Sequence, residues 1–408
     1  MDFPAAMPLA RALLDRAADL RADPDVLARA RLDPATLVLV VGGGQVVVGE
    51  SGAAALLDPA TAARVAGDDG RPVPSGDGPQ GDGNDEPGPP TPGDESWLLL
   101  GRDGDDASAP LILARRVTRG RGAPRIGQSS DVLVHGPVPE PVTADLVGAG
   151  VGARGLAEPD GDGANRRPVG AREGDGDLTG RGSDRDAGER AGHQRAVPVP
   201  APGLRWAALR EAGADLPARD AGLATMAVAL DEWHTRHPRC PRCGAPTVPA
   251  QAGWIRVCTV DGSEHYPRTD PAIIVAVVDD DDRILLGHNA AWPPGRFSTL
   301  AGFVEAGESA EHAVAREVAE ETAVVVDRVV YRGSQPWPFP ASLMLAFRGH
   351  AATTEVHADG AEVTLARWFT RDELAAATAT GEVLLPMRTS VAYALITDWF
   401  GAPLPTRW

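Results

Sequence analysis

The sequence predicts an α/β protein in three parts: a mainly β N-terminal domain, a small cysteine-bearing module, and a C-terminal mixed sheet with flanking helices. Three observations carry this. Short apolar runs broken by glycine-rich or polar stretches fill the first 120 residues; a helical run at 220–237 leads into three cysteines, all between 240 and 258; and further apolar runs bracket a single carboxylate-rich helix near 310–321.

In chain order, the runs at 35–50, 96–101 and 109–117 read as strands of an antiparallel N-terminal domain spanning 1–215. The "GGG" at 42–44 reads as a hairpin turn, because no Lys-Ser/Thr or helix start follows to make a phosphate loop. Stretches at about 67–96 and 148–195 are rich in Gly, Asp, Pro and Arg, and hold too few large apolar side chains to offset the entropy of ordering them. They are expected to be disordered insertions. A linking helix over 216–237 ("DAGLATMAVALDEWHTRH") has apolar residues at three- and four-residue spacing, a cysteine module covers 238–266, and a C-terminal domain covers 267–400. Within the last, "PAIIVAVVD" and "RILLGH" are strands joined by an acidic turn, and Ser309 is the N-cap of the carboxylate helix. Further β-like runs follow at 325–333, 343–350 and 362–369, then a final helix at 387–400.

The 408 residues carry a net charge of −18, which argues against broad binding to nucleic acid and requires local cations wherever an anionic substrate sits. No apolar run reaches the ~18 residues of a membrane span. No early stretch resembles a signal peptide, so a cytoplasmic location is expected. Three clustered cysteines in a reducing compartment suggest a metal site before a disulfide.

In "GFVEAGESAEHAVAREVAEETAV", Glu317, Glu320 and Glu321 stand at i, i+3 and i+4, so their carboxylates leave neighbouring positions of one helix. Unscreened, they repel; a divalent cation reverses that, and all-oxygen donors favour Mg²⁺ or Mn²⁺. The spacing Gly302-x5-Glu308-x7-Arg316-Glu317-Val318-x-Glu320-Glu321 resembles the Nudix box of metal-dependent pyrophosphatases, with Ala323 where that family has a glycine. The resemblance implies that Glu317 and Glu321 ligate the catalytic metal, that Glu320 ligates or assists, and that Arg316 and Glu308 orient the cluster. It also implies a metal bond from the backbone carbonyl of Ala301 and a further carboxylate from a later loop. Glu362 is the candidate there, ahead of Glu355 and Glu373.

"SQPWPFPAS" at 334–342 holds three prolines, which lack a backbone N–H, and reads as a stiff connection outside any sheet ladder. Its flat side chains either bury or stack on a ligand. The stretch is similar to the signature of the NADH pyrophosphatase branch of the Nudix family, which acts on NAD(H) and NAD-capped RNA. That resemblance makes Gln335, Pro336, Trp337, Pro338, Phe339, Pro340, Ala341 and Ser342 the substrate-binding segment, and adds Tyr266 and Ala392 as contacts.

The cysteines run Cys240-x2-Cys243-x14-Cys258, three of the four ligands a tetrahedral Zn²⁺ needs. The family pattern puts a fourth cysteine at 261, where this chain has Asp261. Either Asp261 or His265 completes the site, with His265 the more usual partner of three thiolates. The resemblance therefore implies hydrolysis of the diphosphate of NAD(H) to NMN(H) and AMP, removal of NAD caps from RNA to leave a 5′ monophosphate, and a homodimer. The alternatives are a non-catalytic nucleotide-sensing regulator on the same scaffold, or an enzyme for another substrate such as ADP-ribose.

Overall fold

The computed structural model describes residues 3, 7–11, 14–66, 96–104, 106–117 and 202–404. The two low-complexity stretches, apart from Ser96, lie outside the described residues.

The N-terminal sheet contains β1 (Leu37–Gly42), β2 (Gln45–Val48), β3 (Leu56–Leu57), β4 (Trp97–Arg102), β5 (Leu111–Arg116) and β6 (Arg205–Ala208), in the order β4-β5-β1-β2-β6 with β3 also on β1. Gly43 and Gly44, at φ 58° and 79°, make the two-residue turn between β1 and β2, the left-handed backbone a tight hairpin needs. The sheet is mixed, correcting the antiparallel expectation: β1 and β5 run parallel. The chain reverses through the helix α2 (Pro59–Val65) between β3 and β4, and such a crossover permits a parallel return.

Alternation along "LVLVV" supplies both faces of this sheet. Leu39 and Val41 pack against Leu223, Ala224, Ala227 and Val228 of the long helix α4 (Ala218–Arg236). Val38 and Val40 pack against Val26 and Ala30 of α1 (Val26–Leu32) and Ala62 and Val65 of α2. Because α4 covers one face and α1 and α2 the other, the run is apolar throughout rather than alternating. A short helix, α3 (Leu209–Ala212), joins β6 to α4. Arg116 Nε of β5 donates to Asp231 Oδ1 of α4 at 2.8 Å with both side chains buried, and Asp231 Oδ2 accepts from Gly43 N at 3.1 Å.

A three-stranded sheet of β7 (Thr247–Ala250), β8 (Ile255–Cys258) and β9 (Glu264–His265) follows. Buried Arg256 of β8 donates from Nη1 to His234 Nδ1 of α4 at 2.8 Å, which leaves His234 Nε2–H to donate to Gly253 O at 2.9 Å.

The C-terminal sheet runs β13-β14-β10-β11-β15, with β12 also on β10. Its strands are β10 (Asp270–Val278), β11 (Ile284–Asn289), β12 (Leu300–Phe303), β13 (Val326–Trp337), β14 (Ser342–Ala351) and β15 (Val363–Phe369). Central β10, parallel to β14, presents Ile273, Val275 and Val277 to α5 (Ala310–Thr322), and Ala272, Ile274 and Ala276 to α7 (Val391–Phe400). α6 (Arg371–Thr380) opens on a capping box in which Thr370 accepts from Glu373 N and Glu373 returns a bond to the Thr370 backbone. No helix among the described residues is long and apolar enough to cross a membrane.

The expectation that SQPWPFPAS lies outside any ladder needs correction. Ser334, Gln335, Pro336 and Trp337 are the last four residues of β13, with Pro336 opposite Leu343 of β14. β13 is an edge strand, where a missing N–H costs no ladder bond on the open side. Only 338–341 form the turn.

Candidate active site and metal centre

Two elements bring the acidic groups together. Ser309 caps α5 by accepting from His312 N at 3.2 Å, and one turn separates Glu317 from Glu321 on the face toward β12. Gly302 of β12 makes that approach possible: a Cβ there would fall 1.9 Å from Glu317 Cδ. Glu362 arrives from the loop before β15, where Asp359 gathers it by accepting from the backbone N–H groups of Ala361, Glu362 and Val363 at 2.8–3.2 Å. Asp359 is a residue sequence reasoning missed; its signal was the Asp-Gly turn at 359–360.

Arg316 fastens the acidic helix. Its Nε and Nη2 donate to both oxygens of Glu308 at 2.9 and 3.0 Å, Nη2 also to Phe303 O at 3.0 Å, and Nη1 lies 3.0 Å from Glu317 Oε1 and from Glu320 Oε2. The Arg316 fork, then the Glu305 N–H, hold the Glu308 carboxyl down to about 2. Glu320 turns outward to Arg316 and is largely exposed. Glu321 is the opposite case. Burial, then the charges of Glu317, Glu362, Asp359 and Glu320, push its carboxyl up to about 9, and its buried Oε2 has no hydrogen-bond partner. Burial also raises Glu317, against the pull of Arg316.

A buried, partnerless carboxylate oxygen beside other carboxylates is a site short of positive charge, and hard all-oxygen donors suit Mg²⁺ or Mn²⁺. Glu317 and Glu362 are among the carboxylates whose charges bear on Glu321, and Ala301, Glu321 and Glu362 line one cleft, so this set offers oxygen donors to such an ion. The other two candidate carboxylates serve elsewhere: Glu373 in the α6 capping box, and exposed Glu355 paired with His357 at 2.9 Å.

A cleft is lined by Ala301, Glu321 and Glu362, and also by Trp337, Phe339, Pro340, Ser342 and Ala392. Trp337 and Phe339 meet edge to face at 5.0 Å, with the Arg210 guanidinium of α3 over both rings at 5.9 and 4.9 Å. The remaining candidates do not line this cleft. Gln335 is fully buried; its Oε1 accepts from Leu9 N at 3.2 Å and its Nε2 donates to Thr389 O at 3.0 Å, so it braces the wall from behind. Pro336 is exposed, Pro338 buried, and Ala341 lines a neighbouring groove with Arg236 and Arg268. Tyr266 is 64% exposed, its hydroxyl donating to Glu264 at 2.7 Å.

The cysteines form two matching knuckles. In each, a glycine at positive φ follows the second ligand position (Gly244 at 75°, Gly262 at 67°) and donates to the carbonyl of the first, Cys240 or Cys258. Backbone N–H groups of Arg242 and Val260 point at the Cys240 and Cys258 sulfurs at 3.4 Å. Asp261 thus occupies the place in the second knuckle that Cys243 holds in the first. The ligand atoms of Cys240, Cys243, Cys258 and Asp261 lie within 4.8 Å of one another, a set that fits tetrahedral Zn²⁺. His265, the preferred fourth ligand on sequence grounds, is outside this group, with its Nε2 3.2 Å from Ser263 Oγ. The knuckle geometry selects Asp261.

Comparison with known proteins agrees with both parts. Residues 235–266 match the NADH pyrophosphatase zinc ribbon domain, and residues 268–386 match the NUDIX domain. The chain is 46% identical over 201 residues to an NAD-capped RNA hydrolase NudC of Mycobacterium bovis BCG and equally to that of Mycobacterium tuberculosis H37Rv, covering 47% of this chain and 64% of each relative. It is 38% identical over 196 residues to the human NAD-capped RNA hydrolase NUDT12, covering 45% of this chain and 42% of the relative. The match thus spans less than two thirds of these relatives' own length. The acidic helix lies within the residues that match a NUDIX domain, and the knuckles ahead of it within those that match an NADH pyrophosphatase zinc ribbon.

Proposed function

We propose that this chain hydrolyses the diphosphate of NAD(H) to NMN(H) and AMP, and removes NAD caps from RNA ends to leave a 5′ monophosphate. One observation carries the reading: the carboxylates of Glu321 and Glu362 and the aromatic shelf of Trp337 and Phe339 line a single cleft. A dinucleotide joins a diphosphate to flat rings, and this cleft offers a partner to each. The relatives' names, NAD-capped RNA hydrolase, favour the same substrates.

Glu317, Glu321, Glu362 and the Ala301 carbonyl would hold a divalent ion, which when bound would neutralise charge on the diphosphate and acidify water. The chain's own residues do the rest. Arg316 keeps Glu317 and Glu308 fixed, so the acidic face does not splay when its charges are uncompensated. Trp337 and Phe339, stiffened by the flanking prolines, hold a ring at little ordering cost. Water adds to one phosphorus, the bridging P–O bond breaks, and a proton leaves with solvent.

A cytoplasmic homodimer completes the reading. In that reading exposed Tyr266, which does not line the cleft of its own chain, contributes to that of a second copy. The test is a product assay with Mg²⁺ or Mn²⁺ on NADH, NAD⁺, ADP-ribose and a short NAD-capped RNA. AMP release from NADH, reduced at least 100-fold in Glu321→Gln, is the expected result. Far higher kcat/KM on the capped RNA makes decapping the main activity, and silence on all four leaves a non-catalytic nucleotide binder.

A further inference from the structure

The shelf of Trp337 and Phe339 accounts for one ring of a dinucleotide, and a dinucleotide has two. The loop between β11 and β12 offers a second aromatic surface to the same cleft, lined by Asn289, Trp292, Arg296 and Thr299. This loop is pinned at both ends. Asn289 receives the N–H of Ala291 on its side chain and that of Trp292 on its carbonyl, both at 2.9 Å. Past Pro293 and Pro294, Gly295 turns at φ 81°, where a Cβ would meet Glu382 O at 2.8 Å. Gly295 O accepts from Leu384 N at 2.7 Å, and His288 Nδ1 donates to Arg296 O at 2.7 Å.

The Trp292 ring is braced as well. Arg296 lies over it at 5.1 Å from the centroid, and His288 meets it edge-on at 6.5 Å. Thr299, also lining the cleft, is 5% exposed, and its hydroxyl has no hydrogen-bond partner. A buried hydroxyl left unsatisfied destabilises the fold unless something supplies a partner, and in a cleft wall a ligand can.

We propose that Trp292, braced by Arg296 and His288, and the Thr299 hydroxyl form a second ring subsite for the half of the dinucleotide that the Trp337–Phe339 shelf does not hold. This rests on the dinucleotide reading of the cleft. Arg296 is a positioning residue for the Trp292 ring, and Thr299 satisfies its hydroxyl on the bound nucleotide.

Binding and turnover are measured separately. Calorimetric titration of NADH into Glu321→Gln protein, with and without Trp292→Ala, is expected to show a Kd about tenfold or more weaker without the ring, since one base–aromatic stack is worth ~1–3 kcal/mol. Trp292→Phe retains most of the affinity, Thr299→Val loses part of it, and Trp292→Ala weakens only one of the two mononucleotides, AMP or NMN. An unchanged NADH Kd with a lowered Tm, or equal weakening of AMP and NMN, overturns the subsite and leaves Trp292 as packing. NADH affinity that depends on Trp292 in a wild-type protein that does not hydrolyse NADH upholds the subsite and overturns the hydrolase reading. Absence of NADH binding overturns both.

Discussion

At the scale of residues, the acidic face of α5 shows how far spacing alone reaches. The i and i+4 positions of Glu317 and Glu321 place them together in any helix, whereas the steric allowance of Gly302 depends on β12 passing α5, which no local pattern encodes. Ala323 was legible too. It ends α5 at φ 60° and ψ 6°, and its N–H bonds to Ala319 O at 2.8 Å, so the cap stays in place with a Cβ in the left-handed region. Ala323→Gly is expected to raise stability by about 1 kcal/mol in urea unfolding, with activity unchanged. His234 gives a pH dependence. Burial first, then the Arg116 charge, lowers its imidazole from 6.5 to about 3. A depressed pKa means that the unfolded chain binds the proton more tightly. His234 therefore contributes stability fully above about 6.5 that is lost as pH falls toward 3. Thermal unfolding between pH 7 and 4 checks this, and His234→Gln is expected to flatten the acid limb.

At the scale of elements, the strands and helices with strong periodicity were readable and their pairing was not. The parallel contact of β5 with β1 joins segments 75 positions apart in sequence, as Leu37 opposite Ile112 shows, and four-residue β12 is too short to show a period. α6 carries its own signal, Thr370-x-x-Glu373, and the capping box it forms takes Glu373 out of the set of candidate metal ligands. β13 shows local chemistry giving way to position, because Pro336 is tolerated at the open edge of the sheet. The join between α4 and the N-terminal sheet rests on Arg116 and Asp231, buried and bonded at 2.8 Å. Breaking one side of such a pair strands a buried charge, at a cost of about 3–5 kcal/mol. Asp231→Ala is accordingly expected to shift the urea midpoint of the whole protein, while Leu32→Ala, at an 86% exposed position, serves as the neutral control.

At the scale of the whole molecule, the zinc knuckles stand between α4 and β10, and Arg256 links their sheet to α4 through His234. Removing zinc with a chelator is expected to lower Tm and loosen this sheet first, read as faster hydrogen exchange at 247–258 before any change in α5. Asp261→Ala should lower bound zinc, and Asp261→Cys should restore and tighten it, by metal analysis after dialysis. The ribbon was legible from three cysteines and its closing ligand was not, because choosing between Asp261 and His265 required the turn that Gly262 makes.

Gln335 bonds to Leu9 across 326 positions of sequence, and Phe3 and Met7 are buried among Ile274, Leu395 and Trp399. The C-terminal core is therefore capped by a segment that emerges from the ribosome long before it. During synthesis that segment has nowhere to dock, and the C-terminal core is not sealed until α7, which carries Leu395 and Trp399, is out. Contacts of such separation slow folding and lengthen the time apolar surface stays open. This protein should thus lean on chaperones while it is being made, more than a lone domain of the same size would.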